Sequence, residues 1–298
     1  MRSRPPSAAL RRHMATGPGM ASALGVLLLL QVLRASSDPF FAGAVRASAA
    51  TGGGRGEVDY WAVELDANSS ARLSRAWRAS RDFAAAAASG LEMKEEYHVT
   101  LLYIGGARDE QLASRNPKLG SVAAVRALRE ELARREGEAL QLATAAFVWE
   151  EGRIAAAPAQ LGSLDRLSAN VHPHITLGMA PGVGAVVSNE LLARLDASRN
   201  FKAGLPQWLL QLHLAEYVTR LAAWCDLERI TSPEALSKNA AAAAAAVEPD
   251  PEAAQKVKDI LSHATRGALH ELPLAEALQL TGVVTGIVKA AEEQPSML

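Results

Sequence analysis

Tyr97-His98-Val99-Thr100-Leu101-Leu102-Tyr103-Ile104-Gly105 is an apolar, β-branched run carrying one imidazole and one hydroxyl, and His174-Ile175-Thr176-Leu177-Gly178 repeats its pattern. Runs of this kind form buried strands. Side chains alternate faces along a strand, so His98 shares a face with Thr100, and His174 with Thr176. Val99 and Leu101, like Ile175 and Leu177, then turn the opposite way into a core. On regular alternation Tyr97 points away from His98. Tyr103 stands at an odd offset from Thr100, which puts it on the opposite face or at the end of the strand.

If the two strands are neighbours, two imidazoles and two hydroxyls surround one space. Histidine titrates near neutral pH, so one ring can take a proton from an attacking water or hydroxyl while the other gives one to a leaving oxygen. Threonine hydroxyls can hydrogen-bond the non-bridging oxygens of a phosphate. That set performs phosphodiester chemistry without a metal. A single strand histidine is more often a satisfied, partly buried residue than a catalyst, but two copies on apolar runs, each followed by glycine, outweigh that explanation. His172-Pro173-His174 with His98 offers a competing three-histidine metal site. No carboxylate stands at ligand spacing there, and a metal leaves both threonines unexplained, so His172 is read as a residue at the edge of the cleft. Trp149 and Arg153 are further candidate substrate contacts, one to stack a base and one to meet phosphate.

His98-Val99-Thr100-Leu101 and His174-Ile175-Thr176-Leu177 resemble the paired H-x-[ST]-hydrophobic motifs of the two-histidine (2H) phosphoesterase superfamily. The surroundings are similar to those of the RNA 2',3'-cyclic phosphodiesterases also called 2'-5' RNA ligases: Tyr103-Ile104-Gly105 follows the first motif, and Pro173 and Gly178 bracket the second. The resemblance runs from about Val58 to Arg229. It implies an α+β fold of two pseudo-twofold lobes with a cleft between them, His98 and His174 as general acid and base, Thr100 and Thr176 as phosphate ligands, and no cofactor. The implied substrate is an RNA end or a small nucleotide, most directly a 2',3'-cyclic phosphate. The alternative is a non-catalytic module that binds RNA ends or nucleotides on the same fold. Several relatives carry an arginine after the second motif, where this chain has Met179-Ala180-Pro181, so a phosphate-binding cation must come from elsewhere.

The chain balances 31 basic against 32 acidic residues. Its first fifty hold Arg2, Arg4, Arg11, Arg12, Arg34 and Arg46 against Asp38 alone, which leaves the remainder mildly acidic. That opposes binding of long nucleic acid by charge alone and suits an enzyme that takes a terminal phosphate. Leu24–Leu33 is apolar but short for a bilayer span, Ala35-Ser36-Ser37 supplies small residues for cleavage, and the basic, Ala/Ser/Gly-rich stretch to Gly56 is transit-like. Residues 1–55 are therefore expected to be a removable targeting segment, for a plastid-type organelle or the secretory pathway, with no stable membrane span in the mature chain. Cys225 is the only cysteine, which excludes an internal disulfide framework and a cysteine metal cluster.

Patterning predicts a strand over Val58–Leu65, a helix over Arg72–Ala88, the first motif strand over Glu96–Ile104 and an amphipathic helix over Val122–Arg135. Leu140–Trp149 and Arg153–Leu161 flank Glu150-Glu151-Gly152 as a hairpin with a solvated turn. The second motif strand, a helix over Ser188–Leu195 and a last strand over Trp208–Val218 complete a domain spanning 56–230. Residues 231–250, with the Ala240–Ala246 run and Pro249/Pro251 after it, read as a linker. Residues 251–298 read as a helical appendage, with helices over Glu252–Ala264 and Leu274–Ala290.

Overall fold

The computed structural model describes residues 58–116 and 118–288; the expected targeting segment, 1–55, lies outside them. Seven strands form one antiparallel sheet in an α+β fold. They are β1 (Val58–Leu65), β2 (Glu92–Met93), β3 (His98–Tyr103), β4 (Ala139–Glu150), β5 (Ile154–Pro158), β6 (His174–Met179) and β7 (Leu269–Val288). Their order is β2-β6-β3-β1-β7-β4-β5, and β5 pairs in turn with β6, so six of them close a ring of pairings.

Helices α1 (Ala67–Arg78), α2 (Phe83–Ala88), α3 (Asp109–Arg115) and α4 (Val122–Arg134) lie between the early strands. The carboxylate of Asp66 caps α1 by accepting from the Ser69 amide at 2.6 Å, and Ser121 caps α4 through the Ala124 amide. Leu73 and Trp77 of α1 and Val125, Leu128 and Leu132 of α4 join one core with Val99, Leu101, Ile175 and Leu177. The single helix expected over Arg72–Ala88 is two, because the chain turns between Arg78 and Phe83.

After β6 come α5 (Val187–Arg199), α6 (Phe201–Gln211), α7 (Val218–Glu228), α8 (Pro233–Lys238), α9 (Ala240–Val247) and α10 (Pro251–His263). Trp208 and Leu209, expected on a strand, lie in α6 and are buried with Leu221, Cys225, Leu236, Val257 and Leu261 in a separate helical core. Burial raises the Cys225 thiol to about 11, which leaves it unreactive. The alanine run is the helix α9, not a linker. Alanine has the highest helix propensity, and Ala240, Ala243 and Ala244 are small enough to be buried between neighbouring helices. No helix among the described residues is long and apolar enough to cross a membrane.

The helix expected over Leu274–Ala290 is instead the strand β7, which pairs with β1 on one side and β4 on the other. Burial alternates at Leu280, Gly282 and Val284, the two-residue period of a strand. Gly282 lies so close to β1 that a Cβ there would stand 2.5 Å from the Glu64 carbonyl oxygen, a close approach only glycine permits.

Glu150, expected at a solvated turn, is wholly buried. Arg194 of α5, 2 % exposed, donates from Nη1 to Glu150 Oε1 at 2.9 Å and to the Gly267 carbonyl at 3.1 Å, and from Nη2 to Glu234 Oε1 at 2.9 Å. Arg153 joins Glu150 to Glu190. This network fastens the β4–β5 hairpin to α5, α8 and the approach to β7. Removing one partner of a buried pair strands the other charge in low dielectric. Arg194→Ala is expected to lower unfolding free energy by about 3–5 kcal/mol in urea titrations, and Arg194→Met with Glu150→Gln to recover part of it. Equal stability of Arg194→Ala and the parent would show that the network contributes nothing.

Candidate active site

Val99 pairs with Ile175 across the antiparallel β3–β6 contact. In that register His98 faces Thr176 and Thr100 faces His174, so each histidine has its own motif's threonine beside it and the other motif's threonine across from it. Val99, Leu101, Ile175 and Leu177 are fully buried on the opposite face. The loop before β6 adds two bonds to β3, from the Ala169 amide to the Leu101 carbonyl at 2.6 Å and from Asn170 Nδ2 to the Thr100 carbonyl at 3.0 Å.

Both motif strands carry the same irregularity. Opposite β1, Ala62 pairs with Thr100 but Trp61 pairs with Leu102, so Leu101 is skipped. Opposite β5, Ala156 pairs with Thr176 but Ala155 pairs with Gly178, so Leu177 is skipped. A bulge directly after the threonine reverses the facing of the later residues of the strand. Leu101 and Leu102 both point into the core, and Tyr103, which stands at the end of the strand as one of its two expected placements had it, comes round to the side of His98 and Thr100 rather than to the opposite face. Tyr97 is buried in the core, as alternation predicts.

His174 is 7 % exposed, and its Nδ1 lies 2.8 Å from the His172 carbonyl oxygen. A carbonyl only accepts, so Nδ1 carries the proton and Nε2 keeps its lone pair. Burial lowers the His174 pKa to about 4; the bond to His172 opposes the drop, and the nearby His172 and His98 rings add to it. The His98 pKa is also lowered, first by burial and then by Lys94, while Glu64 and Glu96 pull it up. The Thr176 hydroxyl lies 3.2 Å from that of Ser188 on α5.

Lys94 and Ser188 carry no sequence signal. Lys94 reaches the site because its amide donates to the Leu177 carbonyl at 2.9 Å, extending the β2–β6 pairing alongside the second motif. It is half-buried and has no ion-pair partner among the described residues. Glu64 comes from β1, directly opposite His98.

The other sequence candidates lie elsewhere. Trp149 is buried and stacked on His270 at 4.1 Å, and Arg153 is held by Glu150 and Glu190. His172 touches His174 through its carbonyl, and its ring turns the other way. Its ring stands 3.6 Å from Asp196 on α5, at a cavity of about 180 Å³ lined also by Pro158, Leu192 and Leu195. Among the described residues no three His, Cys, Asp or Glu side chains converge as metal ligands.

Two strands each presenting histidine and threonine toward one space place the protein in the two-histidine phosphoesterase superfamily. The family model of the fungal tRNA ligase phosphodiesterase domain matches residues 54–213, more than half of the chain. The chain belongs to that family, which is one of phosphoesterases. Among solved structures, the crystal structure of a fungal RNA kinase is similar over 59 % of this chain and 43 % of that one, at 17 % identity and a TM-score of 0.34. The match therefore covers less than half of the kinase. No curated protein matches.

Proposed function

We propose that the protein hydrolyses 2',3'-cyclic phosphate at RNA ends, in a cleft where two similar halves meet, with His174 as general base and His98 as general acid. The observation that carries the assignment is the His174 Nδ1–H bond to the His172 carbonyl, which leaves Nε2 as the proton acceptor. Water attacks phosphorus as Nε2 takes its proton. The bond from phosphorus to one ribose oxygen breaks, and protonated His98 supplies that oxygen with a proton. The Thr100 and Thr176 hydroxyls donate to the non-bridging oxygens, where charge grows in the transition state, and Lys94 is the nearby cation that offsets it. The family match supports a phosphodiester substrate, and the net acidity outside the first fifty residues favours short ends over long duplexes.

The test is hydrolysis of an oligoribonucleotide ending in 2',3'-cyclic phosphate, in EDTA, across pH. Catalysis requires neutral His174, present above about 4, and charged His98, present below a pKa that lies under 6.5. The kcat/KM profile is therefore expected to be a bell with its maximum in the mildly acidic range. A maximum above pH 7 overturns the assignment of roles. A folded protein that binds the oligonucleotide without turning it over is a binding module instead, and activity abolished by EDTA points to a metal.

A further inference from the structure

The apolar stripe that α5 lays on β4 and β5 runs through Leu191, Leu192 and Leu195, which are buried with Val148, Ile154 and Ala156. Ser188 begins the same stripe, three positions before Leu191, and is fully buried. A hydroxyl thus stands where the pattern asks for an apolar side chain. Its Oγ lies 3.2 Å from the Thr176 hydroxyl and has no other hydrogen-bond partner among the described residues. Thr176 is half-buried, on the strand face that carries His174.

Either oxygen of such a pair can donate, and burial decides which one does. If Thr176 donated, the Ser188 proton would be enclosed without an acceptor, a loss that buried donors seldom bear. Ser188 therefore donates and Thr176 accepts. A threonine hydroxyl has one proton, so that proton is turned away from Ser188 and left for the space in front of β6. The Thr100 hydroxyl has no partner of this kind among the described residues.

We infer that Ser188 is a positioning residue, which holds the Thr176 hydroxyl in the orientation that offers its proton to a non-bridging phosphate oxygen; this rests on the phosphodiesterase reading above. A donor already aimed where charge grows needs no reorientation during the reaction. The bond comes from outside the motif strands, from a helix that the pair Arg194 and Glu150 fastens to the β4–β5 hairpin.

A double-variant cycle with two readouts tests this: affinity for nucleoside 2'- and 3'-monophosphates by calorimetry, and kcat on the cyclic-phosphate end. Ser188→Ala is expected to lower both about tenfold. Thr176→Val, which keeps the shape and loses the hydroxyl, should lower kcat by about a hundredfold. The double variant should match Thr176→Val, because Ser188 acts only through that hydroxyl. Ser188→Cys, which keeps a weak donor in the same place, should lie between Ser188→Ala and the parent. The pH of the kcat/KM maximum should not move, since neither histidine is changed. Parent-like values in Ser188→Ala or in Thr176→Val overturn the role, and so does a Ser188→Ala loss of the same factor in both backgrounds. Phosphate binding that keeps the coupling without turnover overturns the phosphodiesterase reading and leaves the role of Ser188 standing; a parent that neither binds nor turns over overturns both.

Discussion

His174→Asn and His98→Asn are each expected to lower kcat on the cyclic-phosphate end by two to four orders of magnitude while the protein stays folded, the range of a single positioned acid or base. The double variant should be little worse than either single one, because a base without its acid partner completes no turnover. The two differ in the surviving limb of the pH profile. Without His174 the dependence on deprotonation near pH 4 disappears and the fall toward alkaline pH remains; without His98 the reverse holds. Circular dichroism on each variant separates lost chemistry from lost structure. A variant that keeps the parent rate removes that histidine from the mechanism.

Truncation after Gly267, which removes β7, is expected to abolish the cooperative unfolding of the sheet. β7 pairs with β1 from Val58↔Val288 to Leu65↔Gly282, and with β4 from Ala139↔Val283 to Glu150↔Leu269. Its loss unpairs one side of both strands and opens the core at Leu280 and Val284. Gly282→Ala is the graded form of the experiment. Its Cβ would sit 2.5 Å from the Glu64 carbonyl oxygen and 2.7 Å from Val63 Cγ1, an overpacking that costs about 1–3 kcal/mol or more in denaturant titrations. A truncated chain with a sharp, parent-like transition would show β7 to be dispensable.

The motif strands are legible in the sequence because their signal is local. Alternation alone puts Val99 and Ile175 in the core and leaves the histidines and threonines on the other side. The bulges are harder to read, although Leu101-Leu102 and Leu177-Gly178, two core-facing residues in succession, are their trace; the facing of Tyr103 escapes simple alternation for that reason. β7 passes for a helix because Leu278, Val284, Ile287 and Val288 fit a helical stripe as well as a strand, and only Val283-Val284-Thr285 and the glycines at 282 and 286 argue for β structure. Lys94 and Ser188 reach the site through neighbours distant in sequence. Glu150 looks solvated because its buried partner, Arg194, lies on a helix far along the chain.

The place of β7 also orders events during synthesis. β1 is made early, yet its partner on one side arrives only after the helices from α5 to α10 have been translated. Until then β1 and β4 expose unpaired edges, which recruit other chains as readily as the proper strand. Pairing across so long a separation is slow, because the loop must close before any contact rewards it. The helices from α5 to α10 share a core of their own, so they can form first. A cell making this protein would have to shield a half-built sheet until the residues of β7 have left the ribosome.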